Sequence, residues 1–431
     1  MDNSFNTHEK QRISSIKIRK MRYSRIPGMI ELSKTILSTE ENREHNLEIL
    51  YRYVSSITGE ELNQFGKKFP FANFFNFFTE NQESEFGFCA LSILSLATYS
   101  GVPKRSFYTS SFPLCSQLLT QSQYTKFILD IFINGADYYE QNAILYLRNN
   151  ICEIISSLPI TQETAHFISV LSKYSTEYLG QLFTLTMKII NSLDSQERIQ
   201  QNIHIIFYVF RSIHYQFYNN HNNDETCQQI SNSISDFILN NSNIFFSNFH
   251  EPFMRSYYKV LSHLPNLPPI FGQTILEAIC NLNVTKWKEA GKTIRVAMLP
   301  FQTHVNEWQS TLSEVLFEVI FSKFVDQPYD IRMRIFCVLS QYYQYNTINK
   351  YTFHFLEWCL YFLRDKETCE MCLEKIHFVL AIMSKNGTFH SEIIQILQSE
   401  MTSFEEICED ENEKIAILSS SILEMLSTIM E

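Results

Sequence analysis

One apolar template recurs along the chain, and its spacing limits the folds open to it. Ala90, Ile93, Leu94 and Ala97 stand at i, i+3, i+4 and i+7, one face of a helix that should stop before Gly101. The template returns at Ile335, Val338, Leu339 and Tyr342, and at Ile376, Val379, Leu380 and Met383 before Asn386 and Gly387. It returns again at Ile415, Leu418, Ile422, Met425 and Ile429. Ile335 to Ile376 is 41 residues and Ile376 to Leu418 is 42. A helix with one apolar stripe cannot bury it alone, so helices at a fixed interval bury theirs by stacking repeat on repeat. Comparable stretches at 151–158, 205–213 and 257–264 are about 50 residues apart, which reads as repeats carrying insertions. The candidate insertions are 218–227, rich in Asn, and 263–272, where prolines stop a helix.

Composition agrees with the array. A chain of 431 residues exceeds what one compact core holds. Its 36 Phe and 22 Tyr supply a continuous core, while 10 Gly and 11 Pro are too few for a large β protein or for nucleotide-binding glycine loops. Intervals of ~40 to 47 residues are those of armadillo and HEAT repeats, each of two or three helices. The fold expected is all-α, a right-handed α-solenoid of armadillo or HEAT type over 26–431, preceded by an arm at 1–25.

The arm is polar and charged with no apolar core of a secretory signal, and no stretch approaches the ~18 uninterrupted apolar residues of a membrane span. Ten scattered cysteines, most within apolar helical patterns, fit a reducing compartment. The chain is expected to be soluble and intracellular. Charge is uneven: residues 1–25 carry +5 and the remainder −16, which makes the formal −11. A basic arm on an acidic body suits an acidic protein surface, an anionic membrane or nucleic acid. Interleaved Ile13, Ile16, Ile18 and Met21 favour an arm that folds on a protein partner.

The stretch FGKKFPFANFFNFFTENQESEFGFCALSILSLATYSG, residues 65–101, is similar to an armadillo repeat of the importin alpha family. There one helix ends near a glycine, a second leads into an acidic turn, and a third runs through an Ala-Leu-x-x-Ile pattern to a Ser-Gly stop. The arm sequence SSIKIRKMRYSR resembles a shortened importin-β-binding segment, with Ile18, Arg19, Lys20 and Arg22 at core positions and Tyr23 where a second basic residue is expected. The resemblance covers about the first 160 residues. It implies an adaptor in nuclear protein import. Arg12, Lys17, Arg19, Lys20, Arg22 and Arg25 would bind an importin-β-type carrier, and the solenoid groove would bind a cargo protein. It also implies a location in cytoplasm and nucleus.

In that family the third helices present Trp and, one turn later, Asn. Here Cys89 and Ile93 take those places, then Asn150 and Ile154, and the residues four after Trp287, Trp308 and Trp358 are Gly291, Leu312 and Phe362. The ladder is absent, which puts binding of standard basic localisation signals in doubt. Glu80, Glu83 and Glu85, in the turn before the third helix, are groove candidates able to attract Lys or Arg; they also fit a solvated helix start favoured by the helix dipole.

Other chemistry has little support. Cys369 and Cys372 form a single CEMC pair in a helical segment, where structural zinc usually wants two pairs on turns. Nucleotide-loop, zinc-protease and serine-hydrolase signatures are missing. FFNFF beside an acidic body reads as core and not as a base-stacking platform. No catalysis, metal, cofactor, nucleic acid or membrane partner is expected. A general armadillo or HEAT interaction scaffold and a cargo-reading karyopherin of the importin-β kind are the alternatives; short first helices in three-helix repeats favour the adaptor, and plain pairs the others.

Overall fold

The computed structural model describes residues 25–430 except 175, 221–223, 248–250, 283–286, 344–349 and 388. Arg12, Lys17, Arg19, Lys20 and Arg22 therefore lie outside the described residues. Among those described, 25 helices and no strands are present. The chain divides into two compact units, Met1–Ile230 and Ser231–Glu431.

The first unit runs α1 (Ile26–Ser38), α2 (Arg43–Ser56), α3 (Gly59–Gly66), α4 (Phe71–Glu80), α5 (Glu85–Thr98), α6 (Arg105–Leu118) and α7 (Ser122–Tyr138). It continues through α8 (Glu140–Arg148), α9 (Ile151–Ser157), α10 (Gln162–Tyr174), α11 (Leu179–Ser192), α12 (Gln196–Gln201) and α13 (Ile203–Asn219), and α14 (Asp224–Asn240) crosses the boundary. The second unit holds α15 (Ser242–Phe246), α16 (Glu251–Leu261), α17 (Pro269–Cys280), α18 (Trp287–Thr303), α19 (Val305–Lys323) and α20 (Tyr329–Tyr342). It closes with α21 (Thr352–Phe362), α22 (Cys369–Asn386), α23 (Ser391–Gln398), α24 (Met401–Ile407) and α25 (Glu413–Met430).

Each unit is two layers of helices, an α-solenoid arrangement. In the first, α2, α5, α7, α10 and α13 pack side by side in order, and α1, α4, α6, α8, α9 and α11 make the second layer. In the second, α16, α18 and α20 pack side by side in order, α22 packs on α25, and α15, α17 and α19 line up opposite the first three.

Local chemistry sets these elements. Ser84 caps α5 by accepting the Gly87 amide at 3.3 Å, and Glu85 stands in the first turn, where a carboxylate suits the helix dipole. Ala90, Ile93, Leu94 and Ala97 are fully buried, as the template requires. Gly101 then stops the chain at φ +67°, with the Tyr138 ring so close that an added Cβ would lie 2.5 Å from it. In the repeat α8–α10, Asn150 takes the left-handed conformation at φ 59° between the two short helices.

Two expectations need correction. The first of the two intervals of about 50 residues came from matching 151–158 with 205–213, whereas α9 belongs to the second layer and the partner of α13 is α10. Short apolar helices of either layer carry the same pattern, so periodicity alone cannot tell them apart. With the right partner, Ser172 and Ser212, which share a hydrogen bond, are 40 residues apart. The supposed insertions are also partly helix: α14 starts at Asp224, and although 263–268 is a non-helical connection, Pro268 and Pro269 open α17 as N-cap and first residue, where a missing N–H costs nothing. The repeats are mixed. α3–α5, α8–α10 and α23–α25 are triplets with first helices of 8, 9 and 8 residues, while α6–α7, α17–α18 and α19–α20 are plain pairs.

FFNFF is core: Phe74 and Phe78 are fully buried. Farther on, Phe132 packs at 4.8 Å from Tyr146 and 5.9 Å from Phe167, joining α7, α8 and α10. Trp308 is equally buried, its indole N–H donating to the Leu267 carbonyl at 2.6 Å. Phe132→Ala should lower unfolding free energy by about 3–5 kcal/mol through the cavity it leaves, read as a lower urea midpoint by near-ultraviolet circular dichroism; an unchanged midpoint would mean that this aromatic junction is not part of the core.

Candidate protein-binding face

The layer α5, α7, α10, α13 has one side packed on its partner layer and one side open, and the open side carries polar and aromatic groups from four successive repeats. Phe88 on α5 meets Phe127 on α7 edge to face at 5.2 Å. Asp130 of α7 accepts hydrogen bonds from Ser95 and from the Tyr99 hydroxyl, both at 3.1 Å. On α10, His166 stacks on Tyr208 of α13 with centroids 4.3 Å apart and planes at 23°. Lys126 reaches Glu163 at 3.7 Å, and Lys173 reaches Asp137 at 3.8 Å.

These groups sense one another across the layer. Burial raises the Tyr99 hydroxyl's pKa, and the charges of Asp130 and Glu163 and the phenol of Tyr208 raise it further. Asp130 is likewise held above the usual carboxylate range by burial, partly offset by its two hydrogen bonds. Contacts thus run from each helix to the next, Tyr99 to Asp130 between α5 and α7, Lys126 to Glu163 between α7 and α10, and His166 to Tyr208 between α10 and α13. Burial pushes His166 down to about 4, with the Arg211 guanidinium adding to the effect, so its ring is neutral at pH 7.

A tyrosine ends three of these helices; Tyr99 bonds forward to Asp130, and the other two tie their helix to the one before. Tyr138 donates to the Tyr99 carbonyl at 3.2 Å, 39 residues back. Tyr174 donates to the Asp137 carbonyl at 3.3 Å, 37 residues back. Half of Tyr99 and of Tyr138 stays exposed, so the rings brace the repeats and still offer a surface.

The sequence-derived candidates stand elsewhere. Glu80 closes α4, Glu83 lies in the turn and Glu85 opens α5; all three are exposed. None makes an ion pair among the described residues, and none meets the Tyr99 cluster. Arg25 is exposed at the N-cap of α1, its carbonyl accepting the Met29 amide at 3.1 Å. Cys369 and Cys372 are buried at the start of α22, and among the described residues no three His, Cys, Asp or Glu are placed to hold a metal ion. Trp358 is buried like Trp308, so neither lines the face. Reading the sequence for a Trp-Asn pair missed Tyr99, Asp130, His166, Tyr208 and Arg211. The signal available was Tyr99, Tyr138 and Tyr174, spaced 39 and 36 residues apart.

Because folded His166 titrates near 4 and a free histidine near 6.5, the unfolded chain binds the extra proton between those values. Stability should therefore rise with pH across that window and be lost as pH falls through it. Urea midpoints measured from pH 4.5 to 6.5 should climb less steeply in His166→Asn than in the wild type; equal slopes would mean that His166 titrates as a solvated side chain.

No family model matches the chain, and no curated protein matches it. Solved structures do. An engineered protein from a structural genomics consortium aligns with a TM-score of 0.57 at 11% identity, over 93% of this chain and 98% of its own. A structure from work on a phosphorylation switch in the interaction between cadherin and beta-catenin aligns over 93% and 99% at 11% identity, with a TM-score of 0.37. A circular tandem repeat protein aligns over 95% and 96% at 11% identity, with a TM-score of 0.22. At such identity the likeness is one of fold alone, and it rests on the first of the three.

Proposed function

We propose that the protein is a helical-repeat interaction scaffold whose open face on α5, α7, α10 and α13 receives a segment of a protein partner. The contacts that link these helices on their open side carry this reading: Tyr99 donates to Asp130, Phe88 meets Phe127, Lys126 reaches Glu163 and His166 stacks on Tyr208. Rigid helices presenting half-exposed tyrosines favour recognition, since such rings supply contact area at little entropic cost. Binding and not catalysis is the role these groups support. Tyr99→Ala combined with Tyr208→Ala should weaken partner binding at least tenfold under conditions where the variant's urea midpoint, though lowered, shows it fully folded. Binding that survives the pair at wild-type affinity would rule the face out.

A more specific reading adds the arm. Seven basic residues among the first 25 precede a body of net charge −16, and the core Ile18, Arg19, Lys20 and Arg22 resembles an importin-β-binding segment. On this reading the protein is an importin-alpha-like adaptor moving between cytoplasm and nucleus, its arm on an importin-β-type carrier and its face on cargo. The mixed repeats do not decide between this adaptor and a scaffold outside nuclear transport. Reversing Arg19, Lys20 and Arg22 to Glu in the full chain should abolish capture by an importin-β-type carrier; capture of the variant equal to wild type would leave the scaffold without an import role.

A further inference from the structure

Two opposite charges on the open face lack an ionic partner among the described residues. Asp130 accepts two hydrogen bonds, from Ser95 and Tyr99, but no Lys or Arg forms an ion pair with it. Arg211 on α13 lies with its guanidinium carbon 5.7 Å from the Phe207 ring centroid and 5.9 Å from that of Tyr215. It donates to the Tyr215 hydroxyl at 3.5 Å, and no carboxylate meets it. The neighbouring charges differ, since Lys126 and Lys173 are matched by Glu163 and Asp137.

The two groups are set up differently but to the same end. Rings beside a guanidinium restrict its plane while leaving N–H donors of the fork unused, and that geometry suits a carboxylate held by two parallel hydrogen bonds. A half-buried carboxylate that accepts only hydroxyl donors keeps acceptor sites for an ammonium or guanidinium. Leaving either charge without a counterion costs free energy that an arriving partner recovers.

We propose, resting on the reading of this face as the binding surface, that its occupant is a protein segment of mixed charge: one Lys or Arg reaches Asp130, one Asp or Glu reaches Arg211, and apolar or aromatic residues contact Tyr99 and Tyr208. A purely basic run would bring like charge against Arg211, and a purely acidic one would do the same at Asp130. The face therefore selects against single-sign segments.

The test is selection of short random peptides displayed on phage against the immobilised full chain, followed by affinity measurement on the enriched peptides. Enriched sequences should hold both an acidic and a basic residue. Arg211→Glu should weaken them about tenfold or more, and replacing the acidic residue of the peptide with Lys should restore binding to that variant. Arg211→Lys, which keeps the charge without the fork, should fall between. Enriched peptides that need Tyr99 and Tyr208 but carry only basic or only acidic residues would overturn the mixed-charge proposal and leave the face reading standing. Peptides indifferent to Tyr99→Ala with Tyr208→Ala, or no enrichment at all, would overturn both.

Discussion

Hydrogen bonds between residues one repeat apart hold the register on which the open face depends. The Tyr138 and Tyr174 hydroxyls reach carbonyls at the end of the preceding layer helix, and buried Asn134 donates to Thr98 at 2.9 Å across the same step. Deeper in, Ser172 of α10 and Ser212 of α13 share a bond of 2.8 Å across the next step, and Gln216 of α13 donates to Thr186 of α11 in the second layer at 3.1 Å. Apolar burial drives helices together but is indifferent to small slips along their axes. Directional bonds between buried groups are not, because a slip leaves each donor without an acceptor. The second unit uses the same device, with Tyr342 donating to the Phe301 carbonyl at 3.0 Å and Trp308 to that of Leu267, each 41 residues back.

That register decides the chemistry of the face. One position at the end of each layer helix can be both a brace and a binding group if it is a tyrosine, whose ring packs while its hydroxyl bonds backbone. A tryptophan ladder would need exposed indoles, yet Trp308 and Trp358 are spent in the core. What stands on the face instead is a set of tyrosines, two matched ion pairs and two unmatched charges.

Much of the fold was legible in the sequence, and the reasons are local. The template at Ala90 to Ala97 reads as a helix because its apolar stripe has period 3.6, and Gly101 marks its end because φ is positive there. The interval of 41 residues after Ile335 was visible because α20 and α22 carry long stripes of the same kind. The middle of the chain misled, since α9 at 151–157 is apolar enough to pass for a layer helix, and since Pro268 and Pro269 start a helix as readily as they stop one. Of the candidate site, the acidic turn was visible and lies apart from the cluster. Asp130, His166 and Arg211 were not visible, because each is an ordinary polar residue until stacking brings it beside groups a repeat or more away. A period of tyrosines was the one trace that a linear reading could have followed.

The central claim is that a partner lies on the face built by α5, α7, α10 and α13. Placing a photoreactive phenylalanine analogue at position 208 in the full chain, and in a second variant at the exposed Ile270 of the other unit, tests it in one experiment. Cross-linking of a bound partner from position 208, weak or absent from position 270, is the result the account predicts. Equal cross-linking from both positions, or cross-linking from 270 alone, would contradict it.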